Sequence, residues 1–327
     1  MVGLHRPVLL KAVISALKPH THAIYIDGTF GGGGYSRALL GSTNCEVWGI
    51  DRDPQACIRG RALTQEFEGR FKIIHGNFEY MDQLLAAHKI FSVDGIMLDL
   101  GISSFQIDDP NRGFSFRHDG PLDMRMSIDG PTAADIVNET PQNQLADIIF
   151  NYGEERRSRR IASAIVSARS KAPIMRTQDL AKIVRECFSP VIPGSKTIDP
   201  ATRTFQALRI FINDELGALE RGLNAAESLL CEGGRLAVVS FHSLEDRIVK
   251  TFLRNRSTIT SKGSRHSPEN ETVKPPSTFI ELNRRPIRPE QSETITNPRA
   301  RSARLRTAER TNAKPQIMER HSHGDIK

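Results

Sequence analysis

Four consecutive glycines, Gly31 to Gly34, follow the first apolar run of the chain. Because glycine has no Cβ atom, a ligand can approach this backbone closely and can meet the amides of the helix that follows. A phosphate-binding loop would end in Gly-Lys-Ser or Gly-Lys-Thr, but here Tyr35 and Ser36 follow the last glycine. The dinucleotide fingerprint also fails, because its possible frames end on Ser36 and Arg37. The pattern therefore favours a nucleoside with a carboxylate-bearing tail, as in S-adenosylmethionine, over a purely structural turn.

Acidic residues end three of the apolar runs in this part of the chain, and the first of these runs ends at Asp27. Asp51 ends the second run, where a carboxylate can accept hydrogen bonds from both hydroxyls of a ribose. Asp53 competes for this role, but its position before Pro54 favours a helix N-cap. Phe78 follows the third run, where its ring can pack on an adenine or in the core, and Asp99 ends the fourth. The carboxyl ends of parallel strands meet at one edge of a sheet, so these residues predict a ligand crevice.

Strands and helices alternate over the first hundred residues and can place these side chains at one edge of a sheet. Apolar strands separated by helices indicate a parallel sheet that is buried on both faces. After Gly101 the chain has the composition of a polar loop, then a helical pattern from 131 to about 188, before a strand pattern returns at 235–239. The predicted architecture is an α/β sheet interrupted by a helical insertion. The predicted strands of the first part are 23–26, 46–50, 71–75 and 93–98.

Positive charge is concentrated at the C-terminal end of the chain. The 327 residues carry a net charge of +7. From Arg254 onward, 16 lysines and arginines stand against 8 acidic residues, so the rest of the chain is close to neutral. Such a basic segment fits a polyanion partner such as a nucleic acid, although a merely solvated tail has the same composition.

The cysteines and the apolar runs exclude other classes of protein. The scattered cysteines include no Cys-x-x-Cys pair, which argues against a zinc site or a disulfide framework and fits a reducing cytoplasm. No apolar run approaches the ~20 residues that a membrane span needs, and no cleavage signal follows the first residues. We therefore expect a cytoplasmic protein with no metal site and no membrane partner. The cysteines are Cys45, Cys57, Cys187 and Cys231.

Ten stretches of the chain resemble the RsmH/MraW family, which methylates N4 of a cytidine in small-subunit (16S) ribosomal RNA. They occur in order from about His5 to Asn312 and so cover nearly the whole chain. The resemblance implies an α/β fold class, in which a Rossmann-like S-adenosylmethionine methyltransferase sheet is interrupted by a helical insertion domain. The matching stretches are 5–10, 26–36, 49–54, 98–104, 112–116, 120–126, 152–156, 201–212, 240–250 and 297–310.

The resemblance also implies how the chain is divided. Residues 1–110 would form the first part of the methyltransferase domain, and 111–200 a helical insertion that recognises the substrate. Residues 201–313 would form the second part with the basic C-terminal segment, and 314–327 a disordered tail. The oligomeric state stays open.

The activity that the resemblance implies is S-adenosylmethionine-dependent N4-methylation of a specific cytidine in 16S ribosomal RNA. The cytidine would lie at the decoding or peptidyl-site region, and the RNA would be part of the small ribosomal subunit. Two competing functions are a non-catalytic RNA-binding assembly factor on the same fold and a methyltransferase of another nucleic acid. A nicotinamide-dependent oxidoreductase is disfavoured because the dinucleotide fingerprint fails.

The family's cofactor contacts, carried over by motif, include the residues at the predicted strand ends. Tyr35 stands where many relatives have histidine. If the backbone of this residue contacts the cofactor, tyrosine can replace histidine there. If the imidazole ring of histidine has a role, tyrosine cannot fill it. The implied contacts are Gly33, Gly34, Tyr35, Asp51, Phe78, Asp99 and Gln106.

Asp99 is also the candidate catalytic residue. Cytosine N4 is a poor nucleophile because its lone pair is delocalised into the ring. An acceptor of hydrogen bonds from the N4 protons favours attack on the sulfonium methyl group, and Asp99 or the carbonyls of 100–104 can fill that role. The alternative for Asp99 is a pure cofactor ligand.

Aromatic and basic residues elsewhere are candidates for contact with RNA. Phe114, Phe116, Arg117 and Arg125 lie in a polar loop, where they can contact single-stranded RNA or pack the loop against the insertion. His242 lies at the predicted edge of the crevice and can line a base pocket.

Three charge patterns complete the candidates. Ser243 with Asp246 predicts a capping-box-like helix start. Arg304 and Arg306 alternate with apolar residues, which predicts an edge strand with its cations on one side, and with Arg301 they are candidates for RNA binding. A run of charged residues on a helix is by default a solvated face, and we interpret the arginines at 156, 157, 159 and 160 in this way.

Overall fold

The computed structural model describes residues 7–189, 199–257 and 275–316. The motif residues His5 and Arg6, and residues 317–327 of the predicted tail at 314–327, lie outside the described residues. Within the described part, seven strands form one sheet in the order β3-β2-β1-β4-β5-β7-β6. The strands are β1 (Ile24–Asp27), β2 (Glu46–Asp51), β3 (Phe71–His75), β4 (Val93–Asp99), β5 (Leu230–Ser240), β6 (Phe279–Glu281) and β7 (Arg304–Arg310).

The first five strands run parallel, as the apolar runs predict. The expectation of an edge strand at Arg304 is wrong. β7 lies between β5 and β6 and is antiparallel to both. The reason is the short strand β6, which covers the outer side of β7 and has too few residues to show an alternating pattern.

The chain folds as two compact units, and the sheet belongs to the first. This unit contains the described residues of 7–51, 55–100 and the chain from 218 onward. Alternate side chains of each strand point to opposite faces, so Ile96 and Leu98 enter one core and Met97 enters the other. The helices of this unit are α1 (Leu10–Leu17), α2 (Gly34–Ser42), α3 (Pro54–Glu66), α4 (Met81–Ala86), α11 (Glu215–Leu229), α12 (Ser243–Arg256) and α13 (Gln291–Thr296).

Two helical layers cover the sheet of the first unit. Helices α4, α11 and α12 bury apolar residues against the face that carries Ile26 and Leu98. Helices α1, α2 and α3 pack against the face that carries Tyr25 and Met97. Because both faces are covered, the central strands β1, β2 and β4 are mostly apolar, which is the pattern that the sequence shows.

The second unit is helical and covers 52–54 and 101–217. It is therefore larger than the predicted insertion at 111–200. Its core includes Phe205 and Leu208, so α10 belongs to this unit and not to the returning methyltransferase domain. Its helices are α5 (Ser104–Asp108), α6 (Ala133–Glu139), α7 (Gln142–Gly153), α8 (Ser158–Arg169), α9 (Thr177–Glu186) and α10 (Ala201–Ile212). Among the described residues of the chain, no helix combines the length and apolar character of a membrane span.

Candidate functional site

The glycine turn joins β1 to α2 and has a shape that larger residues cannot adopt. Gly31 and Gly33 have φ angles of 54° and 72°, in the left-handed region that favours glycine. A Cβ on Gly33 would lie 2.5 Å from the ring of Phe30, and a Cβ on Gly34 would lie 2.2 Å from Pro7. The backbone of Gly32 is exposed, so a ligand can reach the turn there.

Asp51 connects the end of β2 to this turn. Its Oδ2 accepts a hydrogen bond of 2.7 Å from the Gly31 amide. The Nε of Arg59 donates to the Gly31 carbonyl at 3.2 Å, which holds the turn from α3. Asp51 is half-buried. The carboxylate therefore lies at the rim of the crevice, as its position at a strand end predicts.

Asp27, at the end of β1, is a buried acid that sequence reasoning did not select. Its Oδ2 accepts a hydrogen bond of 2.6 Å from Ser36, while its Oδ1 is buried and has no partner among the described residues. Burial raises the pKa of Asp27 to about 6, against the effect of the Ser36 hydrogen bond. The signal for Asp27 was present in the sequence, because it ends a strand as Asp51 and Asp99 do.

Asp99 ends β4 and has the most perturbed environment of these acids. Its amide donates to Thr29 Oγ1 at 2.6 Å, while its carboxyl Oδ1 is buried without a hydrogen-bond partner in the described part of the chain. Burial raises the pKa of Asp99 well above its usual range, and the carboxylates of Asp27 and Glu245 raise it further. A cation beside these acids would reverse the effect, because opposite charge favours the ionised form. The crevice is therefore suited to a positively charged ligand.

Tyr35 is buried in the first turn of α2. Its hydroxyl donates to the Val8 carbonyl. Burial raises the pKa of Tyr35 well above its ordinary value, and the nearby carboxyl group of Asp99 raises it further, so the hydroxyl stays protonated. The side chain thus contacts the N-terminal segment and lies near the acid at the end of β4.

His242 follows β5 and is the N-cap of α12. The Glu245 amide donates to His242 Nδ1 at 3.4 Å, and Glu245 Oε2 accepts from the Phe241 amide at 2.7 Å. The predicted helix start is therefore confirmed, but its capping box pairs His242 with Glu245 and not Ser243 with Asp246. Because its ring is used in the cap, His242 has a structural role besides the predicted one of lining a base pocket.

Phe78 lies after β3, as expected, and packs against the core of the first unit. A Cβ on Gly222 would lie 2.4 Å from its ring, so α11 approaches this ring closely. The ring remains half-buried. Its position is thus compatible with packing in the core and with packing on an adenine, since part of the side chain stays accessible.

Gln106 and Asp53 form part of a network in the helical unit. Gln106 Oε1 accepts from the Ser103 amide at 3.0 Å in a capping box, and its Nε2 donates to Asp53 Oδ2 at 2.9 Å. Arg112 donates to the same Asp53 oxygen at 2.8 Å. Gln106 therefore orders the start of α5, and its predicted contact with a cofactor stays a prediction.

The aromatic residues predicted to stack on RNA belong to the core of the helical unit. Phe114 is only 6% exposed and packs with Met124 and Met126. The ring of Phe116 lies 4.8 Å from that of Phe205, edge to face, under the guanidinium of Arg185. Stacking of RNA on Phe114 is therefore wrong, because packing buries its ring. Phe116 is half-buried, so its contact with RNA stays a prediction.

The two arginines of this loop differ in their surroundings. Arg125 donates to both carboxylate oxygens of Asp123, at 2.9 and 2.8 Å, and to the Ile128 carbonyl at 2.7 Å. It therefore braces its own loop. Arg117 is exposed, and its side chain has no ion pair among the described residues, so it stays a candidate for RNA contact.

The basic C-terminal segment contains both structural and exposed arginines. Arg306 Nε and Arg304 NH1 each donate to Asp246 at 2.7 Å, and Arg306 is only 6% exposed. Burial alone would raise the pKa of Asp246, but hydrogen bonds from Arg306 and Arg304 hold it below its usual value. The prediction that Arg306 binds RNA is therefore wrong, and Arg304 shares its acidic partner. Exposed arginines without an ion pair in the described part of the chain are Arg284, Arg285, Arg288 and Arg301.

Exposed arginines and arginines paired with Asp246 should respond differently to replacement by glutamine. Replacing the four exposed arginines by glutamine should flatten the slope of log K against log salt for RNA binding by up to about 3, since each phosphate contact on single strands contributes about 0.7. Replacing Arg304 and Arg306 by glutamine should instead lower the melting temperature, because Asp246 loses its partners. Titrations with labelled RNA at several salt concentrations and melting curves of all variants measure both effects. A parent-like slope in the fourfold variant would contradict the assignment.

The chain is similar to known proteins over nearly its whole length. The chain matches the model of the MraW methylase family over residues 3–311. It is 57% identical over 310 residues to ribosomal RNA small subunit methyltransferase H of Paramagnetospirillum magneticum, covering 94% of this chain and 96% of that protein. The protein of the same name from Rhodospirillum centenum is 60% identical over 312 residues, which cover 95% of this chain and 93% of the relative.

A solved structure with low similarity is that of an S-adenosylmethionine-dependent O-methyltransferase from Thermotoga maritima. It shares 10% sequence identity, covers 97% of this chain and 70% of its own, and has a TM-score of 0.40. The family match and the two relatives extend over nearly the whole length, as the motifs predict. The chain belongs to the MraW methylase family.

Proposed function

We propose that this protein uses S-adenosylmethionine to methylate N4 of a specific cytidine in small-subunit (16S) ribosomal RNA, in the decoding or peptidyl-site region. The methylase family and the names of the two relatives support methylation of small-subunit ribosomal RNA. The observation that carries the proposal for the chemistry is the buried, partnerless Oδ1 of Asp99 beside the glycine turn. An exocyclic amino group can satisfy such an acceptor. We place this activity in the cytoplasm, on RNA within the small subunit.

The residues at this edge of the sheet fit S-adenosylmethionine. The acids Asp27, Asp99 and Glu245 suit its positive charge, because a cation beside Asp27 and Asp99 would favour the ionised forms that burial opposes. The exposed backbone at Gly32 leaves room for close approach. When bound, the cofactor supplies an electrophilic methyl group on sulfur. Asp51 would hold the ribose, and the first turn of α2, with Gly34 and Tyr35, would offer its amides to the carboxylate.

Asp99 would act on the amino group of the cytosine. Its ionised carboxylate accepts a hydrogen bond from an N4 proton and so makes the nitrogen lone pair more available. As the new N–C bond forms and the S–C bond breaks, the amino nitrogen loses one proton, which Asp99 can receive. A carboxyl group whose pKa is raised is a better proton acceptor than an ordinary aspartate. Tyr35, which is buried near Asp99, would help to shield this carboxyl group from water.

Replacing Asp51 by alanine should weaken binding of S-adenosylmethionine by about 10- to 100-fold. The reason is the loss of hydrogen bonds to a charged acceptor, which costs about 1.5–3 kcal/mol in total. Calorimetry with the purified variant measures the affinity. Because Asp51 also accepts from Gly31, a circular dichroism spectrum and a melting curve must show a folded protein. Parent-like affinity in a folded variant would remove Asp51 from the site.

The proposed reaction is tested by mapping modified nucleosides in ribosomal RNA from cells with and without the gene. We expect one cytidine of the small-subunit RNA to lose an N4-methyl group when the gene is absent. Purified protein, supplied with S-adenosylmethionine that carries a labelled methyl group, should transfer the label to small subunits from cells without the gene. Label on another base would overturn the cytidine assignment. No label on any RNA, with intact RNA binding, would favour a non-catalytic assembly factor.

A further inference from the structure

Four arginines surround the start of α8 in the helical unit. They lie at positions 156, 157, 159 and 160, in the turn after α7 and the first residues of α8. Arg157 is held in place, because its guanidinium donates to the Cys187 carbonyl at 3.2 Å and lies 4.6 Å from the centre of the Phe188 ring. These contacts give a structural role to one of the four arginines.

Arg156, Arg159 and Arg160 are exposed, and none forms an ion pair or side-chain hydrogen bond within the described residues. The nearby carboxylate of Glu155 is buried and used elsewhere. It accepts from the Arg157 amide at 2.8 Å and lies 3.6 Å from Arg203 NH1. Three positive charges thus lie close together without an acidic partner.

The position of these charges is unfavourable for the helix. The amino end of a helix carries a partial positive charge and favours acidic residues, but the first turn of α8 has none. No side chain caps this helix at Arg157. The buried carboxylate of Glu155 accepts from the Arg157 amide at this helix end but forms no ion pair with Arg156, Arg159 or Arg160. Exposed charges that violate a local preference without an ion-pair partner are typical of a functional surface.

An aromatic side chain lies at the same end of the helical unit. Phe150 is in the last turn of α7, which leads through a short turn into α8, and 54% of it is exposed. The start of α10 is also here, because a Cβ on Gly153 would lie 2.6 Å from the Arg203 carbonyl. An exposed phenylalanine beside free arginines can stack on a base while the cations contact phosphates.

We infer that Phe150, Arg156, Arg159 and Arg160 form a docking surface for a single-stranded segment of RNA, here named the arginine surface. The arginines would neutralise backbone phosphates, and Phe150 would stack on a base. The identity of the RNA as ribosomal rests on the proposed function. The charge run therefore has a binding role in addition to being a solvated helix face.

The test uses the full chain and a fluorescent single-stranded RNA oligonucleotide of mixed sequence. The variant Arg156→Gln/Arg159→Gln/Arg160→Gln should bind more weakly at low salt and flatten the slope of log K against log salt by about 2. Phe150→Ala should weaken binding about tenfold with an unchanged slope, because stacking releases no counterions. The melting temperature of the triple variant should not fall, since the charges it removes oppose the helix dipole.

The control variant removes three positive charges from the first unit. It is Arg61→Gln/Lys250→Gln/Arg254→Gln, at exposed positions without an ion pair in the described part of the chain. We expect it to keep more of the parent's salt slope than the arginine-surface variant does. Equal slopes in the two triple variants would overturn the inference, because general charge would then explain binding.

Two further readouts separate this inference from the proposed function. In methyl transfer to small-subunit RNA, the arginine-surface variant should raise the KM for RNA and keep both its kcat and its affinity for S-adenosylmethionine. If the parent protein methylates no RNA, the proposed function fails, while the binding slopes still test the surface. If the variant loses binding to small subunits but binds the oligonucleotide as the parent does, the partner is a ribosomal protein and the inference is overturned.

Discussion

Replacing Asp99 by asparagine is expected to slow methyl transfer by about 100-fold or more, without unfolding the protein. General acid–base groups contribute roughly 10²–10⁴ to rate, and an amide cannot accept the proton that leaves N4. The fold should survive, because asparagine resembles the neutral acid that the raised pKa of Asp99 favours. Single-turnover assays with saturating RNA and cofactor measure the chemical step, and melting curves measure stability.

Asp94→Asn is the matched control for this variant. Asp94 lies at the amino end of the same strand, where its Oδ2 accepts from the Ile24 amide at 2.7 Å, a bond that an asparagine oxygen can replace. We expect this control to keep the parent rate. A rate in Asp99→Asn within a few-fold of the parent would show that Asp99 is only a cofactor ligand or plays no part.

The pH dependence of cofactor binding offers a second readout for Asp99. A raised pKa means that the acid keeps its proton above the usual range, so the negative charge appears only as pH rises. Affinity for the sulfonium cofactor should therefore increase as pH rises through about 6, where Asp27 ionises, and as Asp99 ionises in turn. The part of this dependence that comes from Asp99 should vanish in Asp99→Asn. Calorimetry across pH measures it.

The largest effect on stability is expected for Arg256→Met. Arg256 and Glu227 are each only 1% exposed, and Arg256 Nε donates to Glu227 Oε2 at 2.7 Å. Removing one partner leaves a buried carboxylate without its counter-charge, which costs about 3–5 kcal/mol. Denaturant titration should show this loss in the free energy of unfolding. Glu227 also accepts from Thr278, so its position is held from a second side.

Two controls show whether the unpaired charge is the cause. The double variant Arg256→Met/Glu227→Gln has no buried charge at this pair and should recover most of the lost stability. Arg37→Met breaks an ion pair with Glu66 in which both side chains are about half exposed, and it should cost about 0–1 kcal/mol. If Arg256→Met costs no more than Arg37→Met, the buried pair does not hold α11 and α12 together.

The sequence was sufficient to predict the glycine turn, the parallel sheet and the acids at its edge. These features depend on local spacing and on one rule of topology, namely that parallel strands present their carboxyl ends at one edge. Asp51 and Asp99 lie at that edge for this reason. Tyr35 lies in the first turn of α2, where a glycine turn places the following residue. The order of motifs was sufficient to predict the family.

The tertiary structure alone decided which charged and aromatic residues are free to bind. Arg306 and Arg301 look alike in the sequence, but Arg306 is buried and donates to Asp246 of α12, while Arg301 stays exposed. The sequence pattern around Phe114 is typical of a residue that stacks on RNA, but the structure places Phe114 in the core of the helical unit. The raised pKa of Asp99 likewise depends first on its burial and then on Asp27 and Glu245, which come from distant parts of the chain. Tertiary contacts between distant segments determine which side chains are buried or paired, and the local spacing of residues in the sequence does not encode those contacts.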